Sequence, residues 1–212
     1  MDELELLKQD WKKQEENYPR LSYEAINKMI WKRSSSIVKW IFVISILEFL
    51  FWAILNIFLA DEAYWKEMEL LNLKEFTIGV YIIGYAITFF FIWQFYRNYI
   101  KISSTDDSAT LMKNILKTRK TVKYYIGYVI ISTAITSLVY LYFTFNYHMS
   151  NAVPEAAVSY EFNFNQWLLF IGMTTILILV FLGIIWLFYR LLYGILLKRL
   201  SKNYKELMKL QV

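Results

Sequence analysis

Four long apolar runs punctuate the chain: Ile37 to Ala60, interrupted by Lys39, Glu48 and Asn56; Phe76 to Tyr96; a run from near Val122 to Phe145; and Gln166 to about Tyr189. A helix needs about 20 apolar residues to cross a bilayer, and each run is that long. None alternates with period two over its length, as the strands of a barrel would, and in lipid a helix satisfies its own backbone. The pattern therefore predicts an all-α polytopic protein built as a four-transmembrane-helix bundle, with the last helix continuing to about Leu197. The predicted organisation is cytoplasmic N-terminal helices over 1–36, a membrane domain over 37–197 and a basic tail over 198–212.

Shorter amphipathic patterns flank the spans. Residues 2–17 read as a helix with Leu4, Leu7 and Trp11 at i, i+3 and i+7, and Pro19 ends it. Ser22 is placed to cap a second helix, with Leu21 and Ile26 as a hydrophobic staple. That helix carries Ile26, Met29 and Ile30 on one face and runs to a Ser34-Ser35-Ser36 hinge before the membrane. In the middle connection, Ser104 or Thr105 followed by two acids marks a helix start. No Gly or Pro follows until the third span, so one helix of about 58 Å is expected from about 107 to 145. Tyr160, Phe162 and Phe164 alternate with polar residues, which hints at an extended or interfacial segment.

Composition agrees with a membrane protein. Of the 212 residues, 58% are hydrophobic and 19% charged, against about 45–50% and about 25% in a soluble domain. There is no Cys, which excludes disulfides and thiolate metal sites, and the single His, His148, makes a His-based metal or catalytic cluster unlikely on numbers alone. No HExxH, Walker loop or GxSxG occurs. No enzyme, cofactor or metal is expected. Residues 1–36 hold seven acids and seven bases and lack the charged-then-apolar form of a signal peptide, so the first run reads as a retained span.

Charge gives the orientation. Asp61–Glu75 has two bases against five acids, and the segment 147–165 has none against two. The segment 97–123 has seven bases against two acids, and the tail from Arg190 has six against Glu206. Basic residues stay in the cytoplasm, so both termini and the middle connection are expected inside, in a bacterial inner membrane. Lys113, Lys117 and Lys120 share a helix face that could meet anionic headgroups, although the topological rule alone accounts for them. Trp40, Trp65, Trp93, Trp167 and Trp186, with Tyr96, Tyr124, Tyr125 and Tyr189, lie near span ends, as interfacial belts do.

Glu48 is the candidate for chemistry. It lies eleven residues into the first span, about 17 Å deep by helical rise, and an acid at that depth is a functional candidate by default. It is expected to be either protonated and hydrogen-bonded or lined by water. Partners at matching depth are Ser45 on the same helix, Tyr85 and Thr88, Thr133, Thr136 and Ser137, and Thr174 and Thr175, which together would form a polar layer. Such a layer serves either as interhelical glue, at roughly 0.6–2 kcal/mol per bond, or as a proton or substrate site.

Two stretches carry a resemblance: ELLKQDWKK from Glu5 with KRSSSIVKW from Lys32, and LMKNILKTRKTVKYY from Leu111. The chain resembles a family of uncharacterised flavobacterial inner-membrane proteins of similar length, sometimes labelled carotene monooxygenases. That label implies several His ligands for iron, and only His148 is present. The opening, over roughly ten residues, is similar to the short N-termini of membrane-tethered sigma-factor regulators. This likeness implies a cytoplasmic protein partner such as a sigma factor, and the unshielded apolar stripe of Leu4, Leu7 and Trp11 is the expected contact. The expected function is thus a non-enzymatic regulatory or scaffold protein presenting a cytoplasmic face. The alternative is a small proton-coupled transporter using Glu48; small multidrug transporters also have four spans and a glutamate in the first. Besides the bilayer and a protein partner, a second copy of the chain is a candidate partner, and nucleic acid is not.

Overall fold

The structure, a computed structural model, describes residue 5 and residues 22–104, 107–151 and 163–210. Its elements are α1 (Tyr23–Leu59), α2 (Glu62–Leu70), α3 (Lys74–Ser103), α4 (Ser108–Asn151), α5 (Phe164–Tyr189), a π-helical turn (Arg190–Gly194) and α6 (Ile195–Leu210). The described residues are all-helical, and four helices (α1, α3, α4, and α5 with its continuation) are long and apolar enough to cross a membrane. α1 packs along α3 and against α6, while α4 packs along α3 and against α5 and α6. The ends carrying Lys39, Arg97, Lys123 and Arg190 lie together and form the basic end; the opposite end, with the connection Asp61–Glu75, is called the acidic end.

Helix boundaries follow local chemistry. Ser22 caps α1, its hydroxyl accepting from the Ala25 N–H at 3.2 Å. The helix then runs unbroken to Leu59, so Ser34-Ser35-Ser36 is not a hinge. Ser34 is fully buried instead and accepts a hydrogen bond from the Asn203 amide of α6 at 3.0 Å; a small hydroxyl there lets the two helices approach. Ser104 does not cap α4, since its hydroxyl donates back to the Ile100 carbonyl at 2.9 Å; Thr105 lies outside the described residues. Asp107 is the cap, accepting from the Thr110 N–H at 2.9 Å, and that bond holds its carboxyl below the usual carboxylate range. α4 runs on past Phe145 to Asn151, and Phe164 opens α5 rather than an extended segment; Tyr160 and Phe162 lie outside the described residues.

The short helix α2 was not foreseen. Asp61 caps it, accepting from the Tyr64 N–H at 2.8 Å. It ends at Asn72, whose φ of 56° is the left-handed conformation that Asn tolerates better than most residues. The tail is no free strand of basic chain either, since α6 folds back on the bundle and buries Leu200, Asn203 and Leu207.

Packing is uneven along the bundle. At the basic end Ile30 and Val38 of α1, Ile102 of α3, Leu111 and Ile115 of α4, and Leu200 and Leu207 of α6 form a closed core. The Trp31 indole N–H bridges to the Ile102 carbonyl at 2.8 Å. Next comes a layer of Ile41, Phe95, Val122, Tyr125, Tyr189 and Tyr193. Beyond it, no described side chain of α1 after Glu48, of α4 after Tyr125, or of α5 before Tyr189 is buried. A small cap at the acidic end, Met68, Leu71 and Leu73 with Tyr140 against it, closes that side.

If the basic-end core is the most tightly packed part of the molecule, Ile115→Ala should lower unfolding stability by about 2–5 kcal/mol. Lys117→Ala, two residues on and exposed, should stay within about 0.5 kcal/mol of the parent. Thermal unfolding in detergent, followed by helical circular dichroism, checks both.

Candidate functional site

Glu48 is 6% exposed and is reached by three phenols. The Tyr125 hydroxyl of α4 donates to its Oε1 at 2.8 Å. The Tyr189 hydroxyl, from the end of α5, donates to the same oxygen. The Tyr193 hydroxyl, from the π turn, donates to Oε2 at 2.8 Å. All three rings are buried: Tyr125 and Tyr189 at 3% exposure and Tyr193 at 0%.

The helix directions explain how these arms meet. Side chains lean toward the N-terminus of their own helix. α5 runs from the acidic to the basic end, so Tyr189 and Tyr193 reach back toward Glu48. The two rings stack, with centroids 6.0 Å apart and planes 10° from parallel. Residues four apart share a helix face, here at the start of the π turn, and π turns recur at functional sites. Tyr125 stands edge-on to both rings, and Phe95 of α3 stands edge-on to Tyr125.

Several sequence expectations are corrected here. Tyr125 and Tyr189 are not belt residues; they point inward to the acid. Tyr96 and Tyr124 do face outward, as do Trp40, Trp93 and Trp186. Arg97 lies 4.6 Å over Trp93 and Arg190 4.9 Å over Trp186, cation–π pairs that mark the basic rim.

The expected polar layer does not close on Glu48. Ser45 is buried but donates to the Phe42 carbonyl of its own helix at 2.7 Å. Thr88 donates to the Gly84 carbonyl at 2.8 Å, and Thr174 turns to the Phe170 carbonyl. Tyr85 accepts from the Asn56 amide at 3.2 Å. No hydrogen bond joins Thr133 or Thr136 to the acid. Short hydroxyls on a helix find their own i−3 or i−4 carbonyl, and at the level of Glu48 it is the phenols that cross from other helices to the acid.

A cavity of about 550 Å³ opens on the acidic-end side of Glu48, in the size range of small-molecule sites. Glu48, Tyr125 and Tyr189 form its floor. Its walls are Phe49 and Trp52 of α1, Tyr81 and Tyr85 of α3, Tyr128 of α4, and Phe181 and Phe188 of α5. Thr88, Thr133 and Asn56 add polar points, and Glu48 is the one charged residue of the described lining. Phe51, Trp52, Phe181, Ile184 and Phe188 both line the cavity and face outward, so its mouth is the gap between α1 and α5. On the other side Ile41, Phe95, Val122 and Tyr193 seal the floor from the basic end.

A family described as a domain of unknown function (DUF8845) matches residues 24–212. The chain belongs to that family. No curated protein and no solved structure matches it. In this DUF8845 chain the matched span covers the Glu48 cluster, the cavity and the basic-end core.

The remaining expected sites fall elsewhere. Leu4, Leu7 and Trp11 lie outside the described residues. Lys113, Lys117 and Lys120 face outward from α4, with Lys120 over the Tyr124 ring at 5.5 Å. His148 is exposed near the end of α4, and among the described residues no grouping of His, Cys, Asp or Glu could hold a metal. A second hydroxyl cluster, missed from sequence, ties α2 to the spans. Thr77 and Tyr140 share a bond of 2.7 Å, and Tyr64 and Tyr81 one of 3.2 Å. Burial, then the Tyr81 bond, pushes the Tyr64 phenol up.

Tyr193→Phe removes one donor from a buried acid and should cost about 1.5–3 kcal/mol. Tyr85→Phe, whose hydroxyl serves only Asn56 among the described bonds, should cost about 1 kcal/mol or less. Thermal unfolding of the two variants side by side separates them.

Proposed function

We propose that this protein is a non-enzymatic membrane carrier that takes a small amphiphile into the cavity and exchanges it for a proton at Glu48. The observation that carries this reading is a carboxyl group on the floor of an aromatic cavity, held by three phenols and facing no cation among the described residues. An acid kept at such a place without a basic partner is costly. Phenols are suited to holding it in either state, because each can donate to a carboxylate and can accept from a carboxylic acid. A sealed basic side and an open gap between α1 and α5 favour entry from the lipid, with the proton meeting the ligand at one group.

The orientation proposed with it puts both termini and the 97–123 segment in the cytoplasm of a bacterial inner membrane, on the charge asymmetry of the connections. One further observation favours a second reading. The helices continue past the spans into a bundle with its own closed core, which is a rigid cytoplasmic face suited to a regulatory or scaffold role. A partner cross-linked to the full chain in membranes, and lost when residues 1–20 are removed, would support that role; a partner unaffected by the truncation would remove Leu4, Leu7 and Trp11 from it.

The carrier reading is tested in vesicles containing the full chain and a trapped pH-sensitive dye, under an imposed pH gradient. Hydrophobic amphiphiles of three kinds, cationic, neutral and anionic, are added in turn. At least one kind should dissipate the gradient in the parent and leave it intact in Glu48→Gln. Dissipation by none of them, or equal dissipation in the variant, contradicts carriage through Glu48.

A further inference from the structure

We infer that the cavity selects hydrophobic cations, with Glu48 as counter-ion and the surrounding rings as a cation-binding cage. The inference rests on the carrier reading and names the substrate class of its site.

The first ground is charge. Glu48 is the single acidic residue of the described lining, and no Lys or Arg is among the described residues that border the cavity. The bases nearest along the chain, Lys39, Lys123 and Arg190, are exposed at the rim, beyond the seal of Ile41, Phe95, Val122 and Tyr193. The three phenols donate to the carboxylate and spread its charge, but they add no positive charge. In a low-dielectric site a lone carboxylate makes a potential that favours a cation and penalises an anion, and the effect is stronger than it would be in water.

The second ground is the walls. Aromatic faces attract cations through their quadrupoles, and indole is the best of them. Phe49, Trp52, Tyr81, Tyr85, Tyr128 and Phe188 stand around the space on all four spans. Purely aliphatic walls would suit an acyl chain as well or better. This lining instead combines ring faces with one acid, which suits a cation whose charge is shielded by apolar substituents. Such an ion can also reach the gap between α1 and α5 from the bilayer, where a small hydrated cation cannot.

The third ground is polarity at the far end. The Asn56 amide donates to the Tyr85 hydroxyl at 3.2 Å, and both groups are neutral, so the end opposite Glu48 presents no charge that would compete for the ion.

Two ions of nearly the same shape and opposite sign provide the test: tetraphenylphosphonium and tetraphenylborate. Equilibrium binding of each is measured to the purified full chain in lipid nanodiscs, with empty discs subtracted. The phosphonium should bind saturably and at least about tenfold more tightly than the borate, a gap of about 1.4 kcal/mol. Glu48→Gln should reduce phosphonium binding by about tenfold or more. Trp52→Ala, at an outward-facing wall position where folding is not at stake, should reduce it about threefold or more. Equal or tighter borate binding overturns the inference, as does phosphonium binding unchanged in Glu48→Gln or binding of neither ion. In each of those cases the carrier reading still stands if any of the three kinds of amphiphile dissipates the gradient through Glu48 in vesicles, and it falls with the inference if none does.

Discussion

A carboxylate inside an apolar helical bundle must be given hydrogen-bond partners, and most of the unusual local structure answers that demand. Glu48 takes its donors from the two helices that lie across from it, at Tyr125, Tyr189 and Tyr193. Tyr189 and Tyr193 lie four apart on one helix face, where the chain passes into a π turn at Arg190–Gly194. The three rings then pack on one another and on Phe95 and Ile41. This polar cluster is thus also the boundary layer of the packed half of the molecule. Removing the acid would leave three buried phenols facing nothing, so its contribution is structural whatever else it does.

The contrast between the two halves has a physical origin. Lipid tails are as apolar as leucine, so helices in a bilayer gain little from hiding apolar side chains from it. At the basic end, which the proposed membrane placement leaves in water, the hydrophobic effect would act, and there Ile30, Val38, Ile102, Leu111, Ile115, Leu200 and Leu207 close into a core. Toward the acidic end almost every apolar residue of α5 faces outward, held to α4 by contacts such as Phe145 on Phe170 at 4.6 Å. A cavity can persist there because nothing drives α5 inward to fill it. The hydroxyl cluster around Thr77, Tyr140, Tyr64 and Tyr81 fastens the far end instead. Binding space and tight packing are separated along one bundle, with Glu48 between them.

The number and helical nature of the long elements were legible in the sequence, because the length of an apolar run and the absence of period-two alternation are local properties. The importance of Glu48 was legible for the same reason, since an acid in an apolar run needs no tertiary knowledge to be conspicuous. Its partners were not. Matching residues by depth assumes straight helices of equal register and side chains that stay at the level of their own backbone. A phenol arm leaning along an antiparallel helix breaks that assumption, and belt-like positions such as Tyr125 and Tyr189 concealed an inward role. The spacing of Tyr189 and Tyr193, four apart on one helix face beside an apolar run, was the available signal. Ser34-Ser35-Ser36 misled in the opposite way: small polar residues read as a hinge when judged locally, yet Ser34 is a contact point for Asn203. The cavity had no sequence signal at all, because a void between helices is a property of their arrangement.

The dependence of the fold on the acid and its phenols is most directly measured by a double-mutant cycle in unfolding stability. The cycle compares the parent, Glu48→Gln, Tyr193→Phe and the double variant in the same membrane mimetic. Groups that share a buried hydrogen bond should show a coupling of about 1–3 kcal/mol, with the second change costing far less once the first is made. Additivity within about 0.5 kcal/mol would mean that Glu48 and Tyr193 do not interact, and the cluster at the floor of the cavity would have to be redrawn.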